Sequence, residues 1–306
     1  MISINEKIRM EGFYSFKVSN SKGESRDLSG IIAEDHKNLI LDVGLNALGT
    51  TSVVSACKVG TGVTPVAVSQ TDLATPLAIT STLQSSSTGR NNTAPYYTWG
   101  RRTFRFGQGV AAGNLTEVGV TYGGGSSLFS RALIVDSEGN PTTLTILSDE
   151  WLDVTYELRI YQDLVDKTFN ITLLGVDHVV TVRPANVTTN PSGSSYFFDH
   201  FISWYYYYSQ CSHYNGTIGT ITGSPSGEGS SAGGVSYGAY SQNSLQRSII
   251  YGVGLDDANL AGGIQSTIIN TDKCIWQVGY SPAIAKDSFK TLTMNYTLSW
   301  GRYDPE

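Results

Sequence analysis

Arg102-Thr103-Phe104-Arg105-Phe106-Gly107-Gln108-Gly109, followed by Asn114-Leu115, returns later in the chain as Arg247-Ser248-Ile249-Ile250-Tyr251-Gly252-Val253-Gly254, followed by Asn259-Leu260. The two copies hold one register, 145 residues apart (102 to 247), with no gap. Period-two alternation puts Arg101, Thr103 and Arg105 on one face of the first copy and Arg102, Phe104 and Phe106 on the other. Each copy is followed by a second alternating stretch, Leu152, Tyr156, Leu158 and then Leu292, Tyr296, Leu298, 140 residues apart (152 to 292). Content and spacing recur together. The expectation is a mainly β chain of two tandem antiparallel β-sandwich domains, 1–190 and 195–306, related by a weak internal repeat, which points to a structural building block before an enzyme.

Composition agrees. A chain of 306 residues is about twice a typical domain of ~150 residues. With 33 glycines, 18 tyrosines and only 15% charged residues, it reads as many short strands joined by turns. A net charge of −6 argues against nucleic acid as a partner, because neutralising phosphates takes a basic face. Three scattered cysteines, Cys57, Cys211 and Cys274, are too few for a disulfide framework and are expected as free thiols of a chain made in a reducing cytoplasm. The start, MISINEKIRM, carries charges and no apolar h-region, and no run reaches the ~18 apolar residues of a membrane helix, so no membrane partner is expected.

Along the chain, residues 11–19 alternate as a strand into a Ser-Lys-Gly-Glu turn at 21–24. One short helix is expected near residues 38–48, where Leu39, Ile40, Val43, Ala47 and Leu48 fall at helical spacing around Gly44. Residues 53–62 read as a buried strand, and 63–98 as a long excursion with a mobile tip. Strands follow at 102–107, 115–122, 128–135, 142–147 and 151–161, with a sharp turn at Asp136–Pro141, and 169–187 reads as a hairpin. Without alternating amphipathic helices, an antiparallel sandwich is favoured over a parallel α/β sheet. Thr188–Ser195 looks like the domain boundary, and the second half holds a Gly/Ser-rich stretch at 216–238 and strands at 264–269, 273–280 and 290–300.

Four pieces stand in a particular order: HKNLILDVGLNALG (36–49), KVGTGVTPVAVSQTDLATPL (58–77), TFRFGQGVAAGNLTEVGV (103–120) and SRALIVDSEGNPTTLTILSDEWLDVTYELRIY (130–161). This order resembles virion structural proteins of tailed bacteriophages, of tail, fibre, collar or baseplate type, over roughly residues 30–190. The resemblance implies a non-enzymatic virion component, made in the host cytoplasm, that assembles symmetrically with itself and with adjoining virion proteins. A capsid decoration protein and a receptor-binding adhesin contacting host surface glycan are the rival readings.

No residue set points to chemistry or to a cofactor. Gly229-Ser230-Ser231-Ala232-Gly233 has the letters of a nucleophile elbow but no flanking strand and helix. His213 stands two residues after Cys211, yet no second Cys/His pair completes a zinc site. Asp149-Glu150 and Asp256-Asp257 are adjacent acids in turns, not carboxylates placed on two sides of a sugar. The aromatic run 196–208 is different. Consecutive tyrosines cannot all face one core, so Phe201, Trp204, Tyr205, Tyr206, Tyr207 and Tyr208 are the candidate subunit interface.

Overall fold

The computed structural model describes residues 2–28, 32–33, 36–125, 127–185, 197–198, 209–231, 234–271 and 273–303. The fold is mainly β, with several sheets and one short helix. Its centre is the opening strand, Ile2–Asn20, whose even-numbered residues Ile2, Ile4, Ile8, Met10, Tyr14 and Val18 are all buried. That alternation fixes one inner face along the whole strand. Residues 8–20 pair antiparallel with the strand Glu150–Gln162, while residues 2–10 pair in parallel with the closing strand, Leu292–Arg302. Among the described strands this is the one parallel seam in the mostly antiparallel pairing expected. Period-two alternation reports which face a strand buries and not which strand lies beside it, so this parallel seam leaves no trace in the local sequence.

On either side of the opening strand the order is mirrored. Glu150–Gln162 is followed outward by Tyr97–Phe106 and Leu83–Asn91, and Leu292–Arg302 by Gln246–Val253 and Gly234–Tyr237. Both copies of the internal echo thus lie in one nine-stranded sheet, each against the alternating strand that follows it in sequence. Their registers differ by two residues. Phe106 lies opposite Leu152, whereas Val253 and not Tyr251 lies opposite Leu292. A slip of two keeps every side chain on its face, so Phe104, Phe106, Ile249 and Tyr251 all stay buried despite it. The segments 1–190 and 195–306 meet in this sheet, and the expected boundary, Thr188–Ser195, lies outside the described residues.

Two smaller sheets cover the inner face. The five-stranded one, ordered Leu39–Ile40, Ser127–Leu133, Glu117–Tyr122, Val53–Gly60, Pro76–Thr80, packs through Phe129 edge-on to Tyr156 at 6.3 Å and a Tyr14 to Ser130 hydroxyl bond of 2.9 Å. The six-stranded one, containing Lys167–Leu173, Val176–Ala185, Ile264–Thr271 and Ile275–Ile284, packs through Trp276 on Tyr296 at 5.3 Å. Tyr296 lies beside Ile4, so both smaller sheets sit on the same side. One apolar cluster runs through these three sheets and the small two-stranded sheet of Gly113–Leu115 and Leu144–Ile146, from Ile2 to Trp300.

Two expectations are corrected. The helix spans only Asp42–Ala47, because Leu39 and Ile40 pair instead with Arg131 and Ser130 of the five-stranded sheet. Gly44 is the contact point: a Cβ there would stand 2.2 Å from the Phe129 carbonyl oxygen. The excursion 63–98 is also more ordered than its composition suggests, since 76–80 and 83–91 are strands and 61–75 is tied down by buried charge. Arg131 and Glu117, both fully buried, form that tie. The Glu117 carboxylate accepts from the amides of Gly62, Ala74 and Thr75 and from the Arg131 guanidinium, which also donates to Gln70 Oε1 and the Thr64 carbonyl. Gly60 and Gly62 have no Cβ because it would meet Glu117 Oε1 at 2.7 and 2.4 Å. The Gly-Thr-Gly, Glu-Val-Gly and Ser-Arg-Ala pieces noted in the sequence are thus one packed unit.

Candidate functional site

Inside the fold, the residue types that carry chemistry are committed to structure. Cys57, Cys211 and Cys274 are buried and without disulfides, and burial pushes the thiols of Cys57 and Cys211 up, away from the reactive thiolate. His213 is fully buried with Nδ1 2.9 Å from the Thr267 hydroxyl, and desolvation brings its pKa down to about 4. His178 Nδ1 is 2.7 Å from the Pro282 carbonyl oxygen. Gly229–Ser231 forms a short strand against Ser212–Tyr214, the wrong setting for a nucleophile elbow. Glu150 caps the Leu147 amide and pairs with Arg26, and Asp257 accepts from the Gly254 amide, so these acids close turns. Among the described residues no three His, Cys, Asp or Glu side chains converge as metal ligands.

The proposed interface residues Phe201, Trp204, Tyr205, Tyr206, Tyr207 and Tyr208 lie outside the described residues. The described start of the aromatic run is core. Phe197 lies over Gly100, whose Cβ would stand 2.2 Å from the ring, and Phe198 meets Phe197 edge-on. The guanidinium of Arg102 sits over Phe198 at 4.7 Å and donates to the Val54 carbonyl, which confirms that Arg102 points inward while Arg101 and Arg105 point out.

Two surfaces remain on which a ligand or partner could act. The first is apolar. Pro76–Thr80 is the last strand of its sheet, and Leu77, Ile79 and, just beyond, Leu83 are nearly half exposed. A second apolar place is the two-residue turn Leu174-Gly175 of the 167–185 hairpin, where Leu174 is 83% exposed and holds a left-handed φ of 49°. It borders a groove of about 510 Å³ lined by Leu173, Ile284, Leu292 and Lys286, and Phe289, 90% exposed, stands close by in sequence. A leucine at positive φ is uncommon because the Cβ crowds the backbone, and this one is also held in water.

The second surface is the polar outer face of the large sheet. Neighbouring strands place Ser85, Ser87 and Gly89, then Trp99, Arg101, Thr103 and Arg105, then Asp153, Thr155, Glu157 and Arg159, then Phe13 and Ser15 side by side. Arg105 binds Asp153 with two bonds of 2.7 and 2.6 Å, and the hydroxyls of Thr103 and Thr155 are 2.8 Å apart. Glu157 takes the Nε of Arg101 on one oxygen and the Nε of Arg159 on the other. The Arg101 guanidinium rests 4.7 Å above Trp99, whose indole fills the space over Gly89, and Arg159 rests 4.0 Å above Phe13 and 5.0 Å from Tyr97. Sequence alternation located this face and put Trp99 and Arg101 on it two residues apart; the stacking of Arg159 on Phe13 and Tyr97 could not be read from spacing, because it depends on the strands paired to either side. Comparison with protein-family models, with curated proteins and with solved structures finds no match to this chain.

Proposed function

We propose that this chain is a structural subunit of a tailed-phage particle, in the tail or its appendages, that acts by assembling with copies of itself and with adjoining virion proteins. One observation carries the reading: the strand Pro76–Thr80 leaves a sheet edge open with Leu77, Ile79 and Leu83 beside it. An open apolar edge offers unpaired backbone groups together with side chains that gain from burial, and soluble monomers ordinarily blunt such edges with charge or proline. Here Pro76 guards only the first position. Covering the exposed half of each side chain stabilises an interface by about 1 kcal/mol apiece, enough for repeated contacts in a symmetric array. The order of sequence pieces that resembles tailed-phage virion proteins supports the particle, and in this chain the buried Arg131–Glu117 pair holds the loop that leads into this edge.

The test is Ile79→Lys with Leu77→Lys. Both positions are at the surface, so thermal melting should stay within about 0.5 kcal/mol of the parent, while self-association measured by analytical ultracentrifugation falls at least about tenfold. Unchanged association in the double variant would refute the edge as the assembly surface.

A further inference from the structure

We propose that the outer face of the large sheet binds an acidic saccharide, with the outward edges of Arg101 and Arg159 taking a sugar carboxylate and the neighbouring hydroxyl-lined basin taking the ring hydroxyls. This inference goes beyond assembly and does not depend on it.

The three arginines of this face differ in what they leave unused. Arg105 spends two nitrogens on Asp153 and is satisfied as a bidentate pair. Arg101 and Arg159 each give Nε to the same carboxylate, Glu157, and Arg159 also has the Tyr161 hydroxyl as a hydrogen-bond neighbour. No further hydrogen bond of Arg101 is found among the described residues, so two guanidinium groups share one carboxylate. The nearby Glu11 does not cancel the excess, because it pairs with Lys37 at 3.3 Å and accepts from the Tyr161 hydroxyl. On a chain of net charge −6, this is a local cationic spot.

The forks are also fixed in place. Arg101 lies on Trp99, and Arg159 lies between Phe13 and Tyr97, so both planar groups are held before any ligand arrives and less side-chain entropy is lost on binding. Arg101 and Glu157 themselves face a basin of about 440 Å³ whose wall is completed by Phe13 and by the hydroxyl residues Ser15, Ser85, Ser87, Thr103 and Thr155. Hydroxyl side chains both donate and accept, which matches a polyol. A peptide anchor would call for an apolar pocket, which this basin lacks. Nucleic acid would call for many more cations along a track. A carboxylate on a polyhydroxylated ring satisfies both halves of the site.

The experiment titrates the full chain with a short oligogalacturonate, with the same oligomer reduced to its neutral sugar, with inorganic sulfate and with an oligoglutamate peptide, using calorimetry at low and physiological salt. The oligogalacturonate should bind best, and more weakly as salt rises. Arg101→Gln should weaken it at least about tenfold, as should Arg159→Gln, while Arg105→Gln should leave it unchanged. Arg101 is the decisive position, since its side chain is 50% exposed and its loss spares the core; a melting curve checks the fold. Sulfate binding as tightly as the oligomer, neutral sugar binding as tightly as acidic, oligoglutamate binding more tightly than either, no binding of the oligomer, or no effect of Arg101→Gln would each overturn the proposal.

Discussion

At the scale of single residues, Glu117 and Arg131 show how a buried charge can organise a loop. Burial by itself pushes the Glu117 carboxyl up, but the amides of Thr75 and Ala74 and the Arg131 guanidinium outweigh it and hold the group below the usual carboxylate range. Glu117→Gln would leave Arg131 charged and half-paired in the core, which ordinarily costs about 3–5 kcal/mol. Urea unfolding should show a loss of that order, and a loss under about 1 kcal/mol would mean that the pair is dispensable. The two residues stand in the sequence inside the stretches 103–120 and 130–161, yet nothing in their spacing says that they touch. Their pairing follows from the antiparallel register of Glu117–Tyr122 and Ser127–Leu133, which sets Gly119 opposite Arg131 and leaves Glu117 a diagonal neighbour on the same face. Likewise the alternation at 101–106 put Arg101 and Arg105 on the face opposite Arg102, and only the pairing of Tyr97–Phe106 with Glu150–Gln162 tells that Arg101 meets Glu157.

At the scale of elements, the helix is the sharpest case of tertiary contact overriding propensity. Alanine is favoured over glycine within a helix by about 1 kcal/mol. At Gly44, however, an added methyl would stand 2.2 Å from a backbone oxygen of Phe129, an atom that a sheet cannot easily move. The clash wins, so Gly44→Ala should lower the stability of the fold by 1 kcal/mol or more, read as a drop in melting temperature; a gain would show that the helix can lift off the sheet freely. Strand positions were largely legible because period two survives in the sequence wherever one face is buried, as it is from Leu292 to Trp300. The segment 63–98 was not legible. Its Thr-Pro steps and Ser/Thr run look like loop, and its order comes from a carboxylate more than forty positions away in the chain.

At the scale of the whole molecule, stability should respond to acid through His213. Its pKa, brought down by desolvation to about 4, lies below the ordinary value of 6.5, so the unfolded chain binds the proton more readily. Stability from this group is full above pH 6.5 and is lost as the pH falls from 6.5 towards 4, a change of roughly 3 kcal/mol. Glu6, raised by burial, works in the opposite sense, and His36 is lowered by burial as His213 is, so the informative quantity is the difference between parent and His213→Gln. The variant should lose less stability between pH 7 and 4.5 than the parent, by chemical denaturation at each pH; equal losses would remove His213 as the cause. The parallel seam between Ile2–Met10 and Met294–Arg302 bears on time as well as on strength. A ribosome delivers Met294 long after Ile2, so the sheet's middle stays unzipped while the chain between them is made, and its apolar face waits for a partner not yet made. Contacts so distant in sequence form slowly. The sheet therefore closes only once Leu292–Arg302 has been made, and its exposure to misassociation is greatest in the interval before that strand docks.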